Sequence, residues 1–242
     1  MPARIRHLAC AVFGAALLLS SPGRAQQLGA DTAPKAPAPA PTPTTPVEAS
    51  AQMVTAAVKL MNANDGNGAL DKLNEAIRLN PRSSGAYVLR ASIYCQKKLW
   101  SQAEEDFKAA QQLVPTNVVL KFNIIEIKFM QKQFDAARPG YLALESDPDM
   151  GDFASYKVFL CDLAGGHEAL AAKELAAFEK TGDASYYFGN AAWSITHQKF
   201  GDARSWLDSA SHIYPPRKSA YYAEALIYLG YLPLPDAKPT PN

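Results

Sequence analysis

The chain has 242 residues, 48% of them hydrophobic, and carries 24 Lys and Arg against 23 Asp and Glu, a formal charge of +1. That balance supplies no basic stripe for nucleic acid and too little net charge for strong electrostatic steering. The length suits one globular domain or a short repeat array, and the apolar content is ordinary for a folded protein.

Residues 1–25 form a segment of their own. Arg4 and Arg6 precede the apolar run "LACAVFGAALLL", and "SSPGRA" follows, with the small residues Gly23 and Ala25 placed three and one before a cleavage point. This is the layout of a bacterial secretory signal peptide. The run is too short to span a bilayer comfortably as a retained anchor. Cys10 stands before most of the run, whereas a lipoprotein signal places its cysteine after it. Removing Arg4, Arg6 and Arg24, which no acid accompanies, lowers 24 basic residues to 21 against 23 acidic ones, so the +1 belongs to the leader. The expectation is export across the inner membrane to the periplasm or an envelope-associated site, with no membrane span in the mature chain.

Residues 26–49 follow as a Pro/Ala-rich linker. The stretch "DTAPKAPAPAPTPTTPVEA" has neither an apolar face nor alternation, and its prolines favour an extended, unfolded spacer. The folded part is predicted over 50–233, with a flexible tail at 234–242.

Within the folded part the stretch "KKLWSQAEEDFKAAQQLVPTN" places Trp100, Ala103, Phe107 and Ala110 on one helical face and ends the helix at Pro115. The pattern recurs 34 residues on either side. Ala69, Ala103 and Ala137 stand at that interval, as do Leu73, Phe107 and Tyr141, and then Ala76, Ala110 and Leu144. Pro81 and Pro115 share the interval, and Pro148 arrives one residue early. Helix periodicity also precedes each alanine, as in "AYVLRASIYCQKK" and "VLKFNIIEIKFMQK". Each unit is therefore a pair of short antiparallel helices packed at a small residue, and such pairs must stack to bury their apolar faces.

These residues resemble the tetratricopeptide repeat (TPR) family, as found in secreted bacterial proteins. The second unit carries the likeness most fully, with Tyr87, Ala91, Tyr94, Trp100, Ala103, Phe107, Ala110 and Pro115. A later unit restores the register at Tyr187, Ala191, Phe200, Ala203, Leu207, Ala210 and Pro215. Between them Phe153 to Lys180 reads as a divergent pair turning at Gly165 and Gly166, and counting 34 back from Ala203 makes Ala169 its pivot. Pro139 and Gly140 are expected to distort the second helix of the third unit. The resemblance implies an all-α, right-handed superhelical solenoid of about five antiparallel helix pairs, closed by "SAYYAEALIYLGYL" as a capping helix.

In the resembled family the first helix of each unit lines a concave surface. Carried over, those positions are Val88 and Ser92 in the second unit, Phe122, Glu126, Phe129 and Met130 in the third, and Phe188 and Ile195 in the fifth. The groove so implied is mostly apolar and nearly uncharged. It lacks the Lys and Asn with which some family members clamp a terminal carboxylate, and it suits a helix or an extended apolar segment.

No catalytic constellation emerges. His167, His197 and His212 have no nucleophile and carboxylate arranged around them by any short motif. Cys161 and His167 lack a second ligand pair at zinc spacing, and Gly165 and Gly166 lack the Lys and Ser or Thr of a phosphate loop. Cys95 and Cys161 fall at equivalent positions of units separated by a third, roughly 20 Å apart by stacked-helix dimensions, so buried free thiols are favoured over a disulfide. No cofactor or metal is expected. The sequence thus reads as a noncatalytic interaction module or scaffold of the bacterial cell envelope that holds a protein or peptide partner. A self-associating structural protein and an enzyme or accessory subunit with dispersed active residues stay open as alternatives.

Overall fold

The computed structural model describes residues 45–233, Lys180 excepted. The leader, most of the linker and the tail expected from the sequence lie outside those residues. The chain divides into two compact units, whose described parts are 45–116 and 117–233. The N-terminal unit holds α1 (Pro46–Asn62), α2 (Gly66–Leu79), α3 (Ser84–Gln96) and α4 (Trp100–Leu113). The C-terminal unit holds α5 (Val118–Met130), α6 (Phe134–Leu142), α7 (Gly151–Ala164), α8 (Glu168–Phe178), α9 (Ala184–Thr196), α10 (Phe200–Ile213) and α11 (Pro216–Leu229). The described fold is all-α, five antiparallel helix pairs followed by a capping helix, as the repeat pattern implies.

Local chemistry starts the helices. Thr45 and Glu48 form a reciprocal capping box ahead of α1, with Pro46 at its first turn, so this helix begins before the expected boundary at 50. The side chains of Asp65, Asn117 and Asp183 accept backbone N–H bonds at the starts of α2, α5 and α9.

The turn inside each pair is the most regular feature of the chain. Asn64, Lys98, Lys132, Gly166 and Gln198 all adopt left-handed backbone, with φ between 58° and 82°. The residue after each donates its N–H back across the turn, from Asp65 to Leu60, Leu99 to Tyr94, Gln133 to Lys128, His167 to Asp162 and Lys199 to Ser194, at 2.8 to 2.9 Å. These bonds satisfy carbonyls that the helix end leaves open, and they reverse the chain in a fixed direction. Glycine occupies the left-handed position only once.

The small residues then let each second helix approach. Ala69, Ala103, Ala137 and Ala210 are buried, and Ala203 is nearly so. In the fourth pair the buried residue is Ala171, while the expected pivot Ala169 is exposed. The 34-residue interval therefore runs unbroken from Ala69 to Ala171, and the shortening falls between Ala171 and Ala203. Counting backward from Ala203 carried that shortening to the wrong side of the fourth pair.

In the N-terminal unit Arg90 of α3 forms a two-pronged ion pair with Asp106 of α4, at 2.7 and 2.8 Å, and donates to Asn74 of α2 at 2.7 Å. Ser50 of α1 donates to the Ala76 carbonyl at 2.8 Å. In the C-terminal unit Pro139 lies inside α6, which is 9 residues long against 14 for α4 and α10. The proline has no N–H to donate, and the chain leaves the helix after Leu142 through turns that lead to α7. Gly140 brings α6 tightly onto α5, where a Cβ would lie 2.7 Å from Ile125 Cγ1.

Candidate protein-binding face of the C-terminal unit

The first helices of the C-terminal pairs, α5, α7 and α9, share an aromatic layer. Phe122 of α5 lies 5.4 Å from Tyr141 and 5.5 Å from Phe153 of α7, centroid to centroid. Phe153 meets Tyr222 of α11 edge-on at 5.1 Å, and Phe188 of α9 stacks on the same Tyr222 at 5.5 Å. Tyr156 of α7 is 4.9 Å from Tyr222. At the far end Phe129 of α5 lies 6.2 Å from Tyr228. Offset and edge-on rings at such separations add to simple area burial.

Helix α11 therefore reaches beyond the last pair. Tyr222, Ala225 and Leu226 are its buried residues, spaced to form one apolar stripe. Two hydrogen bonds fix its register. Tyr156 donates its hydroxyl to the Tyr222 carbonyl at 3.2 Å, and Tyr228 donates to the Met130 carbonyl at the end of α5.

A polar cluster underlies the layer. Lys157 of α7 is 2% exposed, its ammonium 2.8 Å from Glu126 Oε1 and 3.5 Å from the centroid of the Phe129 ring. Tyr141 donates its hydroxyl to Glu126. Burial, followed by the Glu126 charge, holds the Tyr141 phenol well above its ordinary range, so it stays a donor at any physiological pH. Arg138 of α6 pairs with the buried Asp162 of α7 at 2.7 Å and reaches Glu174 of α8 at 3.7 Å.

The residues carried over from the repeat resemblance are distributed as follows. Phe122, Phe129 and Phe188 are buried in this layer, Glu126 and Met130 are half-buried, and Ile195 is half-buried toward the end of α9. Val88 and Ser92 are buried residues of α3 in the N-terminal unit, where Ser92 donates to the Leu89 carbonyl at 2.7 Å. Sequence reasoning placed Phe153 at the start of the divergent pair but assigned neither it nor Tyr156 to the face. They stand 34 residues after Val119 and Phe122, so continuing the repeat interval forward through Ala171 would have placed them. Nothing periodic in the sequence announces Tyr222 and Tyr228, because their contacts lie 66 and 98 residues back along the chain.

Cys95 and Cys161 are buried free thiols, and burial pushes Cys161 up to about 12, far from a reactive thiolate. His167, His197 and His212 occupy separate places, with His197 stacked on Trp193 and 3.0 Å from Glu168. Among the described residues no cluster of three or more His, Cys, Asp and Glu side chains is assembled for a metal, and no helix is long and apolar enough to cross a membrane.

No protein-family model matches the chain, and no curated protein matches it. Among solved structures, it is similar to PilF of Pseudomonas aeruginosa at 16% identity and TM-score 0.53, over 77% of this chain and 90% of that one. It is likewise similar to PilW, described as a widely conserved type IV pilus biogenesis factor, at 19% identity and TM-score 0.51, over 75% and 90% of the two chains. YrrB, described as a TPR protein with an unusual peptide-binding site, overlaps at 20% identity and TM-score 0.46, over 71% and 90%. The likenesses to PilF and PilW show the helical-repeat fold alone.

Proposed function

We propose that the chain is a noncatalytic protein-interaction module of the bacterial cell envelope, which holds a helix or apolar segment of a partner protein on the α5, α7 and α9 face. One observation carries this reading: the face already accommodates a helix, with rings for its aromatic side chains and hydrogen-bonding groups for its register. A surface that holds one amphipathic helix by packing and two hydrogen bonds has the physical requirements for holding another. The location rests on the leader sequence, whose charged start, apolar run and small-residue end direct export.

The test is affinity capture from an envelope extract with the purified chain and with a Met130→Glu, Ile195→Glu variant. Both positions are half-buried, on α5 and α9, so charge there should repel an apolar partner while sparing the pair cores. Phe122 and Phe188 are unsuitable, since burying a carboxylate at either would unfold the unit. Loss of one specific captured protein supports the reading. Equal capture by the two chains, with helix content unchanged, overturns it.

A further inference from the structure

From these contacts we infer that α11 is a tethered, displaceable occupant of the binding face, and that the partner admitted in its place is an amphipathic helix carrying aromatic side chains six residues apart, as at Tyr222 and Tyr228. The inference rests on the reading of the α5, α7 and α9 face given above and adds the chemistry of the partner.

The helices inside each repeat pair meet one another without α11 between them. Ala171, Ala191, Ala203 and Ala210 bury the contacts inside and between α7, α8, α9 and α10, and each pair turns on its own left-handed residue. By contrast α11 is docked mainly through its C-terminal half. Pro215, Pro216, Arg217 and Lys218 are exposed, as is Ala220, and the helix start has no side-chain cap. The first residue buried as a whole is Tyr222, with the Ser219 hydroxyl oxygen buried ahead of it. A segment at the end of a repeat array opens at lower cost than the array itself.

The contacts also specify the replacement. Three rings from two helices, Phe153 and Tyr156 of α7 and Phe188 of α9, surround Tyr222, which sets an aromatic requirement at that point. Tyr156 offers its hydroxyl to a carbonyl that any helix presents, so this bond selects for helical backbone and not for sequence. The Met130 carbonyl stands at a helix end, where intrahelical donors are missing, and accepts from Tyr228. A tyrosine is therefore preferred there over phenylalanine.

The experiment uses a fluorescent peptide with the sequence of residues 215–232, added to the purified whole chain and to its Tyr222→Ala, Tyr228→Ala variant. In the parent chain the tethered helix competes at an effective concentration on the order of millimolar. The variant, whose own α11 docks poorly, should bind the peptide at least about tenfold more tightly, and a Tyr228→Phe peptide should bind it several-fold more weakly. Equal affinity for parent and variant overturns the inference. Amide hydrogen exchange on the unsubstituted chain gives an answer that does not depend on the variant's folding. Exchange in α11 well ahead of α7 and α9 supports displacement, and equal protection makes α11 a permanent part of the core. A parent chain that is dimeric while the variant is monomeric also overturns it, in favour of exchange of α11 between two copies. Unchanged envelope capture by the Met130→Glu, Ile195→Glu variant would defeat the proposed function itself, and the peptide measurement reads separately.

Discussion

Lys157 and Glu126 allow a quantitative test of what holds α7 to α5. Lys157 is 2% exposed, whereas the Glu126 side chain retains 22% exposure, and their charged atoms are 2.8 Å apart. Removing one member of a fully buried pair costs about 3–5 kcal/mol, because the survivor is left charged and dry. Lys157→Met keeps the apolar stem and leaves Glu126 able to reach water and the Tyr141 hydroxyl, so its cost should be about 2–3 kcal/mol, including the lost attraction to the Phe129 ring. Glu126→Gln leaves the ammonium with the Phe129 ring, the more distant Tyr141 and Phe153 rings and a weaker acceptor, and should cost more, about 3–5 kcal/mol. The double variant should recover about 1.5–3 kcal/mol of the summed losses. Urea unfolding followed by circular dichroism, with the slope checked for constancy, measures all four corners of the cycle. Additivity within about 0.5 kcal/mol, or a cheaper Glu126→Gln than Lys157→Met, would refute this account.

Three further outcomes follow from the same geometry. Lys98→Gly, Lys132→Gly and Gln198→Gly should each stabilise the fold by about 0.5–1 kcal/mol, the relief of a left-handed side chain outweighing the added freedom of the unfolded chain; a shift of the urea midpoint checks each. Gly140→Ala should destabilise by about 1–3 kcal/mol by forcing its methyl group into Ile125, and Ile125→Ala in the same chain should recover part of that loss in thermal melts. The Trp193 carbonyl, and then Glu168, raise the His197 pKa above its ordinary value. The stability it contributes is thus complete below its unfolded pKa of about 6.5 and disappears as pH rises through the higher folded value. Melting temperatures of His197→Gln and the parent chain should differ at pH 5.5 and converge by pH 8.5. A difference that grows with pH would reverse the sign.

The helix pairs were legible in the sequence because a repeat states the same local physics several times over. Ala69, Ala103 and Ala137 at one interval fix where two backbones approach, and the aromatic and aliphatic residues three and four positions on fix the faces they bury. The fourth pair was misplaced because the count ran back from Ala203 across the one short interval; the left-handed turn at Gly166, 34 residues after Lys132, and burial at Ala171, 34 after Ala137, both place that interval after the pair. The left-handed turns escaped notice for a related reason. Lys98, Lys132 and Gln198 carry no glycine signal, and their conformation is imposed by the bond that closes each turn.

The candidate face divides along the same line. Phe122 and Phe188 could be assigned to it from position alone, since a repeat frame carries from pair to pair. Whether such rings meet water, a partner or the chain itself is set by a segment outside the frame. The sequence determined the helices, their pairing and the apolar character of the face, all of which depend on contacts within one repeat interval. Only the tertiary structure decided that α11 lies on that face, with Tyr222 among rings from α7 and α9 and Tyr228 at the end of α5. Those contacts join parts of the chain far apart in sequence, and no local periodicity encodes which distant surface an amphipathic helix will cover.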